Sequence, residues 1–118
     1  MLNRLYGAGI CLILLVSPVL GQNYSHSNTV VNSTISVTNT FQLALAAKAT
    51  RFGCTVQNQG THTMYIYLGN IGSATTSNSL QLTAGQVFYC GNPPAAVAND
   101  DVSITGTSGD AYVVYSQQ

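Results

Sequence analysis

Apolar and polar side chains alternate along the chain between residues 31 and 45, and this period of two constrains the fold more than any other feature. Odd-numbered positions are mostly apolar and even-numbered positions are mostly hydroxyl or amide side chains. A period of two that includes β-branched residues is typical of a half-buried strand. The pattern therefore predicts one long strand, or two strands that are interrupted near Asn39.

Further short runs of the same kind continue to the end of the chain, and Gly-, Asn- and Ser-containing turns separate them. We expect a hairpin over residues 51–68, short strands near 80–82 and 86–90, a brief edge strand at 97–98, and a final hairpin over residues 102–115. No helical period follows the first 22 residues, apart from a weak one at 43–48. Turn signals every 8–12 residues predict an all-β fold, an antiparallel β-sandwich or jelly roll of about six to eight short strands.

The first 21 residues have the layout of a secretory signal peptide. Arg4 gives a positive start, and residues 5–16 are apolar. Val19 and Gly21 are the small residues that a signal peptidase needs, which predicts cleavage before Gln22. The apolar run is shorter than the roughly 20 residues of a comfortable membrane span. The alternative is an uncleaved N-terminal anchor in which residues 18–20 lie in the membrane interface. We therefore divide the chain into a hydrophobic helical signal segment (1–21), a flexible polar arm (22–28) and a single β-sandwich domain (29–118).

Charged residues are scarce, since the 118 residues include three Lys or Arg and three Asp or Glu. Nucleic-acid binding requires clustered cations, so this composition excludes it, and it excludes electrostatic docking on anionic membranes for the same reason. Membrane contact is expected only through residues 1–21, if they are not cleaved. Weak self-repulsion favours assembly with other subunits, so we expect a homo-oligomer.

Two cysteines remain once Cys11 leaves with the signal segment. An even number in an exported chain predicts a disulfide between Cys54 and Cys90. The alternative is a pair of buried free thiols that pack as small apolar side chains. Two cysteines without a suitably spaced histidine do not supply a zinc site, and we expect neither a metal nor a cofactor.

The sequence contains no recognisable catalytic constellation, so we expect a protein that is not an enzyme. His26 lies in the polar arm and His62 in a predicted turn, and neither accompanies a nucleophile motif. Asp101 and Asp110 are predicted at opposite ends of the last hairpin, roughly 13 Å apart or more, which is too far for a glycosidase pair.

Two tyrosines are the best candidates for a binding surface. Tyr65 and Tyr67 lie on the strand face opposite Met64, Ile66 and Leu68, and their spacing suits stacking against a sugar or a neighbouring subunit. The alternative is that this strand is central in its sheet and that both of its faces are covered.

Four segments together resemble small β-rich structural proteins of tailed bacteriophages and prophages, of the head-decoration or fibre-associated type. They are RFGCTVQNQGT at residues 51–61, MYIYLG at 64–69, LQLTAGQ at 80–86 and ITGTSGDAYVV at 104–114. The resemblance covers roughly residues 29–118. It implies a non-enzymatic virion protein that adds to an assembled surface, often as an oligomer.

The signal segment and the disulfide depart from that pattern, because tailed virions assemble in the cytoplasm. Two locations follow: the protein is exported (secreted, periplasmic or on the cell surface), or it is part of a virion. The alternative function is a secreted carbohydrate-binding module that uses Tyr65 and Tyr67.

Overall fold

A computed structural model describes residues 28–91 and 99–118 of the chain. The signal segment, the polar arm up to residue 27 and the edge strand expected at 97–98 lie outside the described residues. Regular structure within them is almost entirely β, as the sequence predicts. Two short 3-10 helices lie at Ile71–Ser73 and Thr76–Asn78, and the strands are β1 (Asn28–Thr34), β2 (Gln42–Leu45), β3 (Gly53–Asn58), β4 (Met64–Leu68), β5 (Leu80–Leu82), β6 (Val87–Cys90), β7 (Val102–Thr105) and β8 (Ala111–Gln117).

The strands form two antiparallel sheets of four strands each. The first sheet has the order β1-β8-β3-β6 and the second has the order β2-β7-β4-β5. The pairs are nested in the sequence, because β1 pairs with β8, β2 with β7, β3 with β6 and β4 with β5. Each strand is followed by one in the other sheet, except that β4 is followed by β5 in the same sheet.

The two hairpins predicted over residues 51–68 and 102–115 are wrong, although the strands themselves are present. β3 and β4 belong to different sheets, and so do β7 and β8. Their five-residue connections cross the roughly 10 Å between packed sheets instead of turning back within one sheet. Alternation and turn residues show where a strand ends but not which sheet the next strand enters.

The long alternating segment forms two strands, β1 and β2, on either side of Asn39. This confirms the prediction of two strands and not that of one long strand. Asn39 adopts a positive φ of 58°, a conformation that asparagine tolerates better than most residues. Its N–H donates to the carbonyl of Gly106 at 3.0 Å, which fixes the bend against the β7–β8 connection. The chain thereby passes from the first sheet to the second.

The described residues form one apolar core between the sheets. Its fully buried side chains come from both layers, with Val56 and Val114 in the first sheet and Ile66, Val102 and Ile104 in the second. None of the eight strands contains a charged residue, so the described Lys, Arg and Asp residues all lie in the connections. Among the described residues, no helix has the length and hydropathy needed to cross a membrane.

The predicted disulfide joins Cys54 and Cys90, which face each other directly across β3 and β6. Their Cα atoms are 4.9 Å apart, inside the usual range of about 4.4–6.8 Å, and both residues are buried. The bond fixes β6, at the edge of the first sheet, to the interior strand β3. It also fixes the register between them.

Replacing both cysteines, as Cys54→Ala with Cys90→Ala, should lower the free energy of unfolding by about 2–4 kcal/mol, because the unfolded chain loses its cross-link. Urea unfolding followed by circular dichroism measures the change. Wild-type protein in reductant should show a similar loss, whereas the double variant should not respond to reductant. Equal denaturation midpoints for the oxidised wild type and the variant would contradict this role.

Candidate functional site: the outer face of the first sheet

An open row of side chains crosses the outer face of the first sheet. Val30, Tyr115, Thr55 and Tyr89 are cross-strand neighbours on β1, β8, β3 and β6 in that order. Tyr115 is 48% exposed and Tyr89 is 58% exposed. In the next row, Val87 on β6 is also exposed. We call these five residues the aromatic face.

The chemistry of the aromatic face is apolar and neutral. The strands that carry it contain hydroxyl and amide side chains but no charged residue. Tyrosine combines a large apolar ring with a polar hydroxyl, and this combination suits surfaces that become partly dry on contact. Protein interfaces are enriched in aromatic residues and depleted of charge in their centres. The composition of this face is therefore similar to that of the centre of a protein interface.

A depression of about 310 Å³ opens at one end of the face, beside Tyr89 and Gln117. Two glycines leave its floor without side chains. A Cβ at Gly91 would lie 2.7 Å from the carbonyl oxygen of Phe52, and Gly91 has a φ of 99°, which L side chains rarely adopt. A Cβ at Gly53 would lie 2.8 Å from the Oε1 atom of Gln117. The depression offers neutral hydrogen-bonding groups next to an exposed ring.

The structure places Tyr65 and Tyr67 together on the outer face of the second sheet, where both are half-buried. Their strand β4 lies between β7 and β5 and is therefore interior to its sheet. Their cross-strand neighbours Thr105 and Ser103 also face outward, yet they are 1% and 0% exposed. A Cβ at Gly69 would lie 3.3 Å from the ring of Tyr67, so this ring packs on the following loop. A glycan or subunit contact at these tyrosines stays a prediction.

His62 makes a side-chain contact with Asp110 that links two connections. Its Nδ1 atom lies 3.0 Å from Oδ2 of Asp110, with the imidazole largely exposed and the carboxylate buried. The other carboxylate oxygen accepts from the N–H of Thr61 at 3.3 Å. A Cβ at Gly60 would lie 2.5 Å from Cβ of Asp110, so only glycine permits this approach. The arrangement joins the β3–β4 turn to the β7–β8 turn.

Arg51 is a second buried charged residue, and its side chain bonds to backbone carbonyls. It is 2% exposed, and its guanidinium donates to the backbone carbonyls of Ala46 and Asp100. Burial lowers the pKa of Arg51 from its ordinary value, and the nearby Asp101 carboxylate partly opposes that change. Asp101 also accepts from the N–H of Ala47 at 2.8 Å. These contacts fasten the β2–β3 connection to the residues that precede β7.

Asp101 and Asp110 thus serve different connections, at opposite ends of β7. Within residues 28–91 and 99–118, no three His, Cys, Asp or Glu side chains are grouped so that they could hold a metal ion. No protein-family model, curated protein or solved structure matches the chain. The assignment of function therefore depends on the geometry and chemistry of the chain itself.

Sequence reasoning did not identify Tyr89 as a site residue, and it did not assign Tyr115 to an exposed patch. The available signal was the alternation of side chains between the two faces of a strand. Tyr89 precedes the core residue Cys90, and Tyr115 follows the core residue Val114. This alternation places both tyrosines on an outer face, but only the strand order shows that they share that face with Val30.

Changing Gly60 to alanine should lower the free energy of unfolding by about 1–3 kcal/mol, because the added methyl group would overlap Asp110. Urea unfolding measures the loss. Gly72→Ala is a matched control, since its Cβ would meet one exposed side-chain atom at 3.1 Å. If the two alanine variants are equally stable, Gly60 does not have the role assigned to it.

Proposed function

We propose that the protein is a non-enzymatic structural protein, of the capsid-decoration or fibre-associated virion type, that attaches to an assembled surface through the aromatic face. The observation that carries the proposal is this row of neutral side chains, exposed at Val30, Tyr115 and Tyr89 and half-buried at Thr55, on a sheet whose strands carry no charge. Burying such a row removes apolar area from water and leaves no unpaired ion behind.

The strand order supports the proposal. Nested pairing of first with last strands, in two four-stranded sheets, is the arrangement that we infer to be a jelly roll. Viral capsid and lectin domains use that architecture. Both of the functions considered for this chain, surface assembly and carbohydrate binding, are therefore compatible with it.

The contacts of the two carboxylates that the sequence singled out also support a structural protein. Asp110 bonds to a turn amide and to His62, and Asp101 bonds to the amide of Ala47. Each group stabilises a connection at its own end of the sandwich. The disulfide supports a location in an oxidising compartment, so we propose an exported or virion-surface protein.

The proposal predicts that the protein is found on particles released by the producing cells. Immunogold labelling of gradient-purified particles should show regular decoration. Protein with Tyr89→Ser and Tyr115→Ser should bind stripped particles at least about tenfold more weakly, a change of roughly 1.4 kcal/mol, because two aromatic contacts are lost.

Val37→Ser is the control for that experiment, because Val37 is 58% exposed and lies in the β1–β2 connection, outside the aromatic face. It should bind like the wild type. Recovery of the protein only in the particle-free fraction would remove the virion assignment. Unchanged binding of the double serine variant would remove the aromatic face as the contact.

Carbohydrate binding is the second candidate function, and the depression beside Tyr89 is the observation that favours it. An exposed ring next to Gln117 and Thr55 provides stacking and neutral hydrogen bonds, which suit an uncharged sugar.

If the protein binds neutral polysaccharides, Tyr89→Ala should abolish its retardation in affinity gel electrophoresis, because the stacking surface is lost. The variant Tyr65→Ala with Tyr67→Ala tests the face predicted from the sequence in the same assay. A loss confined to that second variant would move the sugar site to the second sheet, and no retardation of the wild type would remove this function.

A further inference from the structure

The four edges of the two sheets differ in how open they are to pairing with another strand. β5 has three residues, β6 has four, and β2 has four with a register shift between Leu43 and Leu45. Short length and bulges are the devices by which natural sheets prevent edge-to-edge association. β1 has neither, since its seven residues pair with β8 without a register shift.

The composition of β1 also leaves its edge open. Its sequence, NTVVNST, contains no lysine, no proline and no other charged residue. A lysine or proline would hinder the approach of another strand. Within the described residues, β8 is the strand that pairs with β1, and it occupies one of the two edges of β1.

β1 is unusually exposed for a strand that is so regular. Six of its seven residues are exposed and Val31 is half-buried, whereas β8 beside it alternates between buried and more exposed positions. Fixing seven residues in an extended conformation costs conformational entropy, and burial within this chain offsets little of that cost. The strand is formed but largely uncovered.

We propose that β1 pairs edge to edge and antiparallel with β1 of a second copy of this chain. The two first sheets would then form one eight-stranded sheet across a two-fold axis at Val31. The inference goes beyond the proposed function, because it concerns the edge of the sheet and not its outer face.

The sequence of β1 is self-complementary in that register. Val31 faces Val31 of the partner subunit, and Val30 faces the partner subunit's Asn32. Thr29 faces the partner subunit's Ser33, a pair of hydroxyl side chains that is favourable across antiparallel strands. No pair places like charges together, and two-fold symmetry is the commonest symmetry of homo-oligomers. These features favour a second copy over a foreign strand as the occupant of the edge.

The dimer would have a consequence for attachment. Val30 neighbours Tyr115 on the outer face, so edge pairing places the aromatic faces of two copies on one continuous sheet. A surface that repeats the same contact would then be bound at two points, which raises the apparent affinity without new kinds of contact.

Charge substitutions on β1 test the pairing. The experiment uses purified protein as the producing cells export it, after the predicted cleavage before Gln22. Val30→Lys with Asn32→Lys places lysines opposite lysines in the dimer, while both positions are exposed in the isolated chain. This variant should be monomeric in native mass spectrometry and sedimentation equilibrium, where the wild type is dimeric. Val30→Asp with Asn32→Asp should also be monomeric, and an equal mixture of the two variants should restore a 1:1 heterodimer.

A cross-linking variant tests the same register without relying on the charged variants to fold. Directly facing residues on antiparallel strands have Cα atoms about 4.5–5.5 Å apart, which a disulfide can span. Val31→Cys should therefore give a covalent dimer on non-reducing gels. Leu43→Cys is the control, because this exposed residue lies at the irregular part of the β2 edge and should stay monomeric.

Several results would overturn the proposal. They are a monomeric wild type at high micromolar concentration, a lysine variant with the wild-type mass, or no heterodimer in the mixture. A dimer that persists in the lysine variant and is lost in Tyr89→Ser with Tyr115→Ser would place self-association on the aromatic face. The edge pairing would then fail while the proposed attachment surface would stand, so the two failures are distinguishable.

Discussion

Burial of apolar side chains between the two sheets is the interaction on which the rest of the structure depends. Val56 and Val114 must face the core, and a strand reverses the direction of its side chains at every residue. Thr55 and Tyr115 are therefore forced outward as neighbours. A shift of one residue would exchange the two faces, and the disulfide between β3 and β6 opposes such a shift. The aromatic face is thus a consequence of the core.

Local pattern was sufficient to locate the strands, and the reason is physical. Alternation reports on the two sides of one strand, so it identified β1 and β2, and asparagine at position 39 marked the bend between them. The disulfide predicted between Cys54 and Cys90 is present in the structure. The choice of sheet is different, since it depends on whether a connection crosses the core. The connection from Thr105 to Ala111 crosses it, and its residues alone resemble an ordinary hairpin loop.

The candidate site was harder to predict because exposure depends on neighbours that are distant in the sequence. Tyr65 and Tyr67 have the spacing of a binding pair, but β7 and β5 flank their strand and the rings are half-buried. Tyr89 and Tyr115 became a face only through the order in which β1, β8, β3 and β6 lie. Likewise, His62 and Asp110 were assigned to separate turns, 48 residues apart, and the fold brings the turns together.

The distribution of charge links the stability of the sandwich to its surfaces. Arg51, Asp101 and Asp110 stabilise connections, where their hydrogen bonds join segments that would otherwise be held only at the strand ends. Strand faces and edges are left neutral. A neutral face loses no ionic hydration when it is covered, and a neutral edge has no electrostatic barrier against an identical edge. We therefore propose that the same scarcity of charge favours contact with flat, neutral surfaces and with copies of the chain itself.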